Sequence, residues 1–407
     1  MPEGAARWPH VIVLDPFAAG LSIARRMSRL GARVTMLLEP GDRFAAHSSS
    51  AEKAILPFAP EAWCERLRAL AGDGRECVAV PATDRSCELL LRNAARLPEN
   101  LRAFERSGAG HLALMDKEAA DGVARRAGVP VPWTAQVRDQ AELAGALERA
   151  PWPCVVKPIF SHEWRARYGE QRAFPVSGPE EARAVLERPL ADGVGMLVCQ
   201  YVPGGDDDVE EAILVRLADG SYPVAFGCRK LRQNPPGFGA TAVGESSLLG
   251  QTTALAKRVL EEAGFVGVAG VETKRHHQTG ERWFLEVNVR VPGQWSLGDT
   301  AGAEVTPRLI ATLAGRPLGP QPPLREGVRL VHPDADAQVL RIALAGVSAR
   351  ERPGLALRML RLYAGARDFG IVDRRDPGPG LAFGAEFVRR RLAGVGGRLR
   401  SARVDAG

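Results

Sequence analysis

The chain contains 407 residues, of which 45% are hydrophobic and 25% charged, and its net charge is +6. These values are typical of a soluble globular protein and exclude a disordered chain. The length exceeds that of one ordinary hydrophobic core, so we expect two or three domains. No apolar stretch is long enough to span a bilayer, and the first residues lead into a strand without the sections of a signal peptide. A cytoplasmic location is therefore the default expectation.

The cysteines and the basic residues favour neither a metal site nor a nucleic-acid site. The six cysteines are scattered, without a C-x-x-C pair or a histidine at ligand spacing, so we expect reduced thiols and no zinc site or disulfide. The positive charge is partly concentrated in the tail RRRLAGVGGRLRSAR, which lacks the aromatic residues of a nucleic-acid surface. We interpret this tail as a solvated terminus and expect no nucleic-acid partner.

Residues 1–112 alternate strands with helices. HVIVLD (10–15) predicts a buried strand, GLSIARRMSRLG (20–31) an amphipathic helix, and ARVTMLLE and CVAVPATD further strands, before a helix at SCELLLRNAARL. This order predicts a doubly wound, Rossmann-like α/β domain with a parallel sheet. The turn PFAAG after the first strand lacks the G-x-G-x-x-G sequence of dinucleotide sites, so we interpret it as a plain strand-to-helix turn.

Residues 113–320 show an α+β pattern. Asp116 is expected to cap the helix KEAADGVARRAG, and a helix at 139–149 precedes the strands PCVVKP and GMLVCQYV. EEAILVRLADGSYPVAFGCRK predicts a hairpin, and a helix at 246–263 precedes a second hairpin, GVAGVETKR and RWFLEVNVR about the turn QTGE. Residues 321–407 are Pro-rich and then helical, and we expect them to form a C-terminal extension packed on the body and ending in the basic tail.

The second hairpin carries polar side chains where a buried strand would be apolar. Because side chains alternate along a strand, Glu286, Asn288 and Arg290 are expected on one face. The intervening apolar residues, beginning with Leu285, are expected on the other. Pairing across the turn places Glu272 beside Glu286, and two adjacent carboxylates repel unless a cation lies between them. Carboxylate and amide oxygens suit Mg²⁺, so these residues predict a magnesium site. The simpler alternative is an antiparallel strand whose polar face is open to water.

Lysine is rare in this chain, since only six of its 54 basic residues are lysine. A compact ammonium suits a phosphate group, so the positions that keep lysine are candidates for phosphate contacts. Lys117 opens a helix, where a cation is unfavourable unless it has a function. Lys157 ends a buried strand and Lys230 ends the first hairpin. Lys257 and Lys274 are expected at the surface.

These pieces together resemble the ATP-grasp enzymes, and most the branch with D-aspartate ligase and predicted carboxylate–amine ligases. Carbamoyl-phosphate synthase and biotin carboxylase are more distant relatives. The matching segments are VPATDRSCELL, LMDKEAADGVARRAGVPVP, CVVKP, LVCQYVPGGDDD, RKLRQNPPGFG, GVETKR, FLEVNVR and DRRDPGPG. The resemblance implies a pre-ATP-grasp domain over residues 1–112 and an ATP-grasp domain over 113–320, with a lid subdomain at about 120–205.

The resemblance also implies a role for each matching residue. The ATP contacts would be Lys117 and Lys157 on phosphates, the linker Gln200, Tyr201 and Val202 on adenine, and Asp208 on the ribose. The metal ligands for Mg²⁺, with Mn²⁺ possible, would be Glu272, Glu286 and Asn288. Lys230 and Arg232 would contact the γ-phosphate or an acyl phosphate, and Arg290 would stabilise the phosphorylated intermediate. The implied partners are a small-molecule acid and amine, with a homodimer possible.

The sequence departs from the family pattern at three places. Val289 replaces the proline of E-x-N-P-R, Gln200 replaces a common glutamate, and the loop IFSHEWRARYG after Lys157 is not glycine-rich. None of these changes removes a metal ligand or a lysine, so we expect an ADP-forming carboxylate–amine ligase. An inactive ATP-binding or regulatory protein and an NAD-dependent oxidoreductase remain as alternatives. Gln294 and Trp295 are expected to line the acceptor pocket.

Overall fold

A computed structural model of the chain describes residues 8–159, 164, 167–169 and 173–389. Most of the loop after Lys157 and the basic tail from Arg390 onward lie outside the described residues. Within the described part of the chain, no helix combines the length and the apolar character that are needed to cross a bilayer.

The first part of the chain forms a parallel five-stranded sheet in the order β3-β2-β1-β4-β5. Its strands are β1 His10–Leu14, β2 Val34–Leu38, β3 Glu52–Ile55, β4 Cys77–Pro81 and β5 Leu101–Arg102. The helices between them are α1 Ala18–Arg29, α2 Pro60–Ala71 and α3 Asp84–Arg92. The predicted parallel sheet is confirmed, whereas the short strand β3 and the helix α2 were not predicted.

The next part of the chain begins with two helices, α4 His111–Met115 and α5 Lys117–Arg126. The Asp116 carboxylate accepts the Ala119 amide at 2.8 Å, which confirms the predicted cap. An antiparallel four-stranded sheet in the order β6-β9-β7-β8 follows, with its own hydrophobic core. Its elements are β6 Thr134–Val137, α6 Gln140–Arg149, β7 Cys154–Pro158, β8 Phe174–Val176, α7 Pro179–Ala191 and β9 Met196–Gln200.

The largest sheet has seven strands in the order β14-β13-β10-β11-β12-β15-β16. Its first part consists of β10 Val209–Arg216, β11 Val224–Asn234, β12 Ala240–Ser247, α8 Gly250–Glu262, β13 Gly267–Arg275 and β14 Arg282–Asn288. Both predicted hairpins, β10 with β11 and β13 with β14, are confirmed. Two helices follow, α9 Trp295–Thr300 and α10 Val305–Leu313.

The residues after 320 contribute to this sheet as well as packing on it. They form β15 Arg329–Val331, α11 Pro333–Ala345, α12 Arg352–Leu360 and β16 Ala366–Asp368. β15 pairs antiparallel with β12, and β16 pairs parallel with β15. Backbone pairing therefore joins this segment to the central sheet, which a purely appended extension would not do.

The five-stranded and seven-stranded sheets share one hydrophobic core. Val11 and Val13 of β1 belong to the same buried cluster as Ile213 of β10 and Trp295 of α9. Trp295 is fully buried, and its indole N–H donates to Thr306 Oγ1 at 2.8 Å. The expectation that Trp295 lines a pocket is therefore wrong, because it is a core residue between the sheets.

Candidate functional site

Three buried or half-buried carboxylates form a row across neighbouring strands of the seven-stranded sheet. Glu272 on β13 lies opposite Glu286 on β14, as predicted, and opposite Glu211 on β10. Residues that face each other in an antiparallel pair project to the same side, so all three carboxylates share one face. Glu211 was not predicted, because its neighbour Glu272 is distant in sequence and only the strand pairing brings them together.

The hairpin that carries Glu286 contains a β-bulge. Glu272 pairs with Glu286, but the next residue, Thr273, pairs with Phe284, which leaves Leu285 as the extra residue. Phe284 is 1% exposed and belongs to the core with Val289, whereas Leu285 is half-buried. The expectation for Leu285 is therefore wrong, since the bulge moves the core position to Phe284, whereas Val287 and Val289 pack in the core as expected and Glu286 faces Glu272.

Lys230 supplies a positive charge to this row. Its side chain is 2% exposed, and its ammonium donates to the two oxygens of Glu272 at 2.7 and 2.8 Å and to the Gly239 carbonyl at 3.2 Å. Burial alone would lower the pKa of Lys230, but Glu272 and Glu211 raise it above its ordinary value. The ammonium therefore stays charged beside the carboxylates.

Arg232 lies away from this row. Lys230 pairs with Gly244 and Arg232 with Val243, so β11 advances two residues while β12 advances one. This bulge turns Arg232 to the opposite face from Lys230. There its guanidinium donates to Asp336 Oδ1 at 2.6 Å and to the Met359 carbonyl at 2.8 Å, in α11 and α12. The structure thus does not bring Arg232 together with the other residues predicted for phosphate contacts.

Positive charges surround Glu286. Burial acts to raise the pKa of Glu286, but Lys117, Lys230 and Lys157 outweigh it and hold that pKa below its ordinary value. The Cys199 sulfur and the Glu286 carboxylate raise the pKa of Lys157. The two predicted phosphate lysines, Lys117 and Lys157, therefore lie within electrostatic reach of the carboxylate row.

Glu211 is the least compensated member of the row. It is 1% exposed, and neither of its carboxylate oxygens has a hydrogen-bond partner. Burial, together with the charge of Glu272, raises the pKa of Glu211 to about 8. A methyl group at Gly270 would lie 2.1 Å from Glu211 Oε1, so glycine leaves the space that this carboxylate fills. Two unpartnered buried oxygens are the kind of vacant donor set that a cation would satisfy.

Asn288 and Arg290 continue the same strand edge. Asn288 pairs with Gly270, on the face that Glu286 shares. Arg290 Nη2 donates to Asn288 Oδ1 at 3.3 Å, and its Nε donates to Asp84 Oδ1 at 2.8 Å. Asp84 is the first residue of α3, so this ion pair joins the N-terminal domain to the carboxylate row.

The predicted adenine-binding linker, Gln200 to Val202, has only some of its backbone groups free to pair with a base. The Gln200 amide donates to the Trp133 carbonyl at 2.7 Å, and the Tyr201 amide donates to the Pro153 carbonyl at 3.0 Å. Val202 is buried next to them. Because two of the three amides already have partners, a base could pair only with the remaining groups of this linker.

Lys274 is buried beside this linker, and the expectation that it lies at the surface is wrong. It is 6% exposed, and its ammonium lies 4.7 Å from the centre of the Tyr201 ring. Burial lowers its pKa, although Asp208 opposes the effect. Lys274 is two residues from Glu272 on β13, so it shares the face of the carboxylate row.

The aspartates after the linker hold the local fold. Asp208 is 3% exposed and accepts from Arg275 Nη2 at 2.6 Å and from the Gly205 amide at 3.0 Å. Burial raises its pKa, but these donors hold the pKa below its ordinary value. Asp206 accepts from the amides of Gln233 and Gly237, both at 2.8 Å. The ribose contact predicted for Asp208 would therefore have to share a carboxylate that already has structural partners.

Similarity to solved structures extends over most of the chain. No family model matches the chain, and no curated protein matches it by sequence. An ADP complex of the N5-carboxyaminoimidazole ribonucleotide synthetase purK superposes with a TM-score of 0.63 at 17% identity, over 83% of this chain and 85% of that one. The Aspergillus clavatus N5-carboxyaminoimidazole synthase, with ADP and 5-aminoimidazole ribonucleotide, gives 0.60 at 15% identity, over 84% and 87%.

A third similar structure is the biotin carboxylase domain of the Hydrogenobacter thermophilus 2-oxoglutarate carboxylase. This dimer, in complex with MgADP, ADP and bicarbonate, gives a TM-score of 0.57 at 16% identity, over 79% of this chain and 73% of that one. At identities this low, the superpositions show similarity of fold and nothing more. The chain therefore has the fold of these synthetases and of the biotin carboxylase domain, which agrees with the ATP-grasp fold that the sequence predicts.

Proposed function

We propose that the chain is an ADP-forming ligase that uses ATP to join a small carboxylic acid to an amine through an acyl phosphate. The observation that carries this proposal is the in-register row of Glu211, Glu272 and Glu286, with Lys230 bound to Glu272. Paired carboxylates beside lysines are the arrangement that phosphoryl transfer needs, because catalysis there is positioning and charge neutralisation. The similar solved structures support it, since their complexes contain ADP.

The carboxylate row fits magnesium. Glu272 and Glu286 face each other, Glu211 has two unpartnered oxygens, and Asn288 adds an amide oxygen on the same face. These hard oxygen donors suit Mg²⁺, with Mn²⁺ as an alternative. A bound Mg²⁺ would neutralise the phosphates of ATP. Lys230 donates to both oxygens of Glu272, but each carboxylate oxygen has a second lone pair that could bind a metal.

The surrounding residues have distinct roles in this proposal. Lys117 and Lys157 hold ATP phosphates, while Lys230 would exchange one of its contacts with Glu272 or the Gly239 carbonyl for the transferred phosphoryl group. Arg290 orients the acid and stabilises the charge that develops on it, because Asp84 fixes the plane of its guanidinium. The linker from Gln200 to Val202 would hold adenine against Tyr201 and Lys274, and Asp208 would reach the ribose. Closure of the lid at about 120–205 would exclude water from the acyl phosphate.

We further propose that this protein acts in the cytoplasm on small-molecule substrates, and that it forms a homodimer. The division into residues 1–112, 113–320 and 321–407 is part of the same proposal, with the last segment completing the central sheet. Bicarbonate belongs among the acids to test, because one similar structure contains it.

The test is an ADP-release screen of acids, including bicarbonate, crossed with amines, in the presence of Mg²⁺ and ATP. We expect at least one pair to release ADP and Glu286→Gln to abolish that release. Glu281→Gln is the matched control, because Glu281 is an exposed glutamate in the turn of the same hairpin. Full turnover by Glu286→Gln would overturn the metal assignment.

A thermal-shift comparison separates the alternatives. The ligase requires stabilisation by Mg²⁺ with ATP and none by NAD. Stabilisation by NAD alone would favour the oxidoreductase, and ATP binding without ADP release from any pair would favour the inactive nucleotide-binding protein.

A further inference from the structure

A second group of metal-ligating side chains lies behind strand β14, outside the carboxylate row. Cys87 of α3, Glu105 of the 3₁₀ turn Phe104–Arg106, and His111 of α4 offer one sulfur, one oxygen and one nitrogen. These three atoms lie within 4.8 Å of one another. Cys87 and His111 are 0% exposed and Glu105 is 5% exposed, so water does not solvate the group.

The contacts of His111 favour a tautomer that can bind a metal. His111 Nδ1 lies 3.2 Å from the Ala109 carbonyl, and a carbonyl only accepts, so Nδ1 carries the hydrogen. The lone pair is then on Nε2, which is buried and has no hydrogen-bond partner. Metal-binding histidines commonly donate their other ring N–H to a backbone carbonyl, which fixes the orientation of the ring.

The Glu105 carboxylate also has a buried oxygen without a hydrogen-bond partner. Glu105 Oε2 is buried without a partner, while the Cys87 thiol donates weakly to Oε1 at 3.9 Å. His111 Nε2 and Glu105 Oε2 are therefore two buried polar atoms without hydrogen-bond partners in the same group. Such atoms are rare in proteins, so the pair requires an explanation. A cation bonded to both would satisfy them together.

We propose that Cys87, Glu105 and His111 bind a zinc-like divalent transition-metal ion. One thiolate and one carboxylate cancel the charge of a dication, so the occupied site is neutral, as burial demands. Cysteine, histidine and glutamate are zinc ligands, and three protein ligands are sufficient to hold zinc. Zinc holds such ligand atoms roughly 3.3–3.5 Å apart, so shifts of about 1 Å complete the site. The thiol proton leaves to solvent when the metal binds.

This site would stabilise the base of the candidate active site. The Cys87 thiol donates at 3.4 Å to the carbonyl of Val289, the residue directly before Arg290, and metal binding would exchange this hydrogen bond for a bond to the ion. Val289 stands where the family pattern has a proline, so the backbone there lacks that restraint on φ. A metal bound by residues of α3 and α4, which pack next to β14, would restrain the backbone around Val289. The sequence predicts no zinc site because the three ligands come from separate elements without compact spacing.

The test uses the full-length protein, stripped with a chelator and dialysed against Co²⁺ or Zn²⁺. We expect elemental analysis to show one metal equivalent per chain that is lost in Cys87→Ser, and for Co²⁺ a thiolate-to-metal charge-transfer band in the near ultraviolet. Cys87→Ser should abolish the band, and Glu105→Gln and His111→Ala should weaken binding at least tenfold. Cys64→Ser is the matched control, because Cys64 is also fully buried in the N-terminal domain.

The band distinguishes this site from the carboxylate row, which contains no cysteine ligand. It should therefore persist in Glu286→Gln, whatever that variant does to ADP release. Glu105→Gln preserves side-chain shape, so a folded variant that has lost the metal would support the proposal even if Cys87→Ser does not fold. Absence of the band in the wild type, or an unchanged band in Cys87→Ser, would overturn it.

Discussion

Lys230 and Glu272 form a buried ion pair in which the ammonium donates to both carboxylate oxygens, at 2.7 and 2.8 Å. Glu211 and Glu286 lie on either side of Glu272 in the same row. Lys230 is therefore the cation in direct contact with this carboxylate among the described residues.

Lys230→Met should destabilise the protein by about 3 kcal/mol, because it leaves a buried carboxylate without its partner. It should also reduce ADP release at least 100-fold. Urea unfolding and the ADP assay measure the two effects. Lys257→Met is the control, since Lys257 is half-buried over the Tyr222 ring and should cost about 1 kcal/mol or less. Equal losses in the two variants would contradict the assignment.

Glu211→Gln should make the protein more stable at alkaline pH. In the folded protein the pKa of Glu211 is raised to about 8, above the value of 4.5 for an unburied glutamate. The folded state thus binds more protons than the unfolded state between these pKa values, so stability falls as the pH rises through that window. Glutamine removes the ionisation, and the variant should exceed the wild type by about 1–3 kcal/mol at pH 9.

The measurement is urea unfolding of both proteins at pH 5, 7 and 9, without Mg²⁺. The difference between them should grow with pH, and a constant difference would show that Glu211 does not titrate in this window. Excess Mg²⁺ should reduce the difference, because a bound cation stabilises the ionised carboxylate.

The site residues divide according to how local their contacts are. Glu272 and Glu286 were predictable as neighbours, because one short turn joins their strands. Glu211 was not, since its pairing with Glu272 is a long-range contact between β10 and β13. Arg232 was misplaced because a bulge reverses its face, and sequence alternation cannot show a bulge. Lys274 was misassigned because the aromatic ring that covers it belongs to the distant linker.

The fold was predictable where the hydrophobic pattern is strong. The buried strands β1, β2 and β4 have wholly apolar or buried runs, and their positions match the sequence prediction. β3 was missed because three of its four residues are exposed at the sheet edge. β12 was missed because its sequence ATAVGESS is rich in small residues with weak strand preference.

Arg232 and Asp336 should behave as one structural unit. Arg232 donates to Asp336 at 2.6 Å, and the two side chains are 9% and 3% exposed. Arg232→Met and Asp336→Ala should each lower the free energy of unfolding by about 3 kcal/mol. The double variant should lose little more than either single one, with a coupling energy of about 2 kcal/mol. Additive losses would show that the two residues act independently.

Asp376 should stabilise the contact between the C-terminal segment and the N-terminal domain. It is 1% exposed and accepts from Arg25 Nε at 2.8 Å, from the Ser48 hydroxyl at 2.6 Å and from the Ser49 amide at 2.8 Å. Asp376→Ala should lower the free energy of unfolding by about 3 kcal/mol at pH 7. Asp373→Ala is the matched control, because Asp373 pairs with Arg29 in a more exposed position and should cost at most about 1 kcal/mol.

The contribution of Asp376 should also depend on pH. Although burial opposes it, hydrogen bonds from Ser48 and Arg25 lower the pKa of Asp376 from 3.8 to about 2. Its stabilisation is therefore complete above about pH 4 and is lost as the pH falls towards 2. In urea unfolding at pH 7, 5, 4 and 3, the advantage of the wild type over Asp376→Asn should begin to shrink only at the lowest values. An advantage that declines already between pH 7 and 5 would point to another group.

Asp84 should set the orientation of Arg290 without contributing much stability. Its carboxylate accepts from Arg290 Nε at 2.8 Å, but it is 66% exposed, and exposed pairs contribute about 1 kcal/mol or less. Asp84→Asn should therefore leave the unfolding midpoint nearly unchanged. It should lower kcat for ADP release about tenfold, because a misoriented guanidinium loses its bidentate contact with the reacting group. Glu88→Gln, on the same helix and in an exposed pair with Arg92, is the matched control. If Asp84→Asn turned over as fast as Glu88→Gln, Arg290 would not need this anchor.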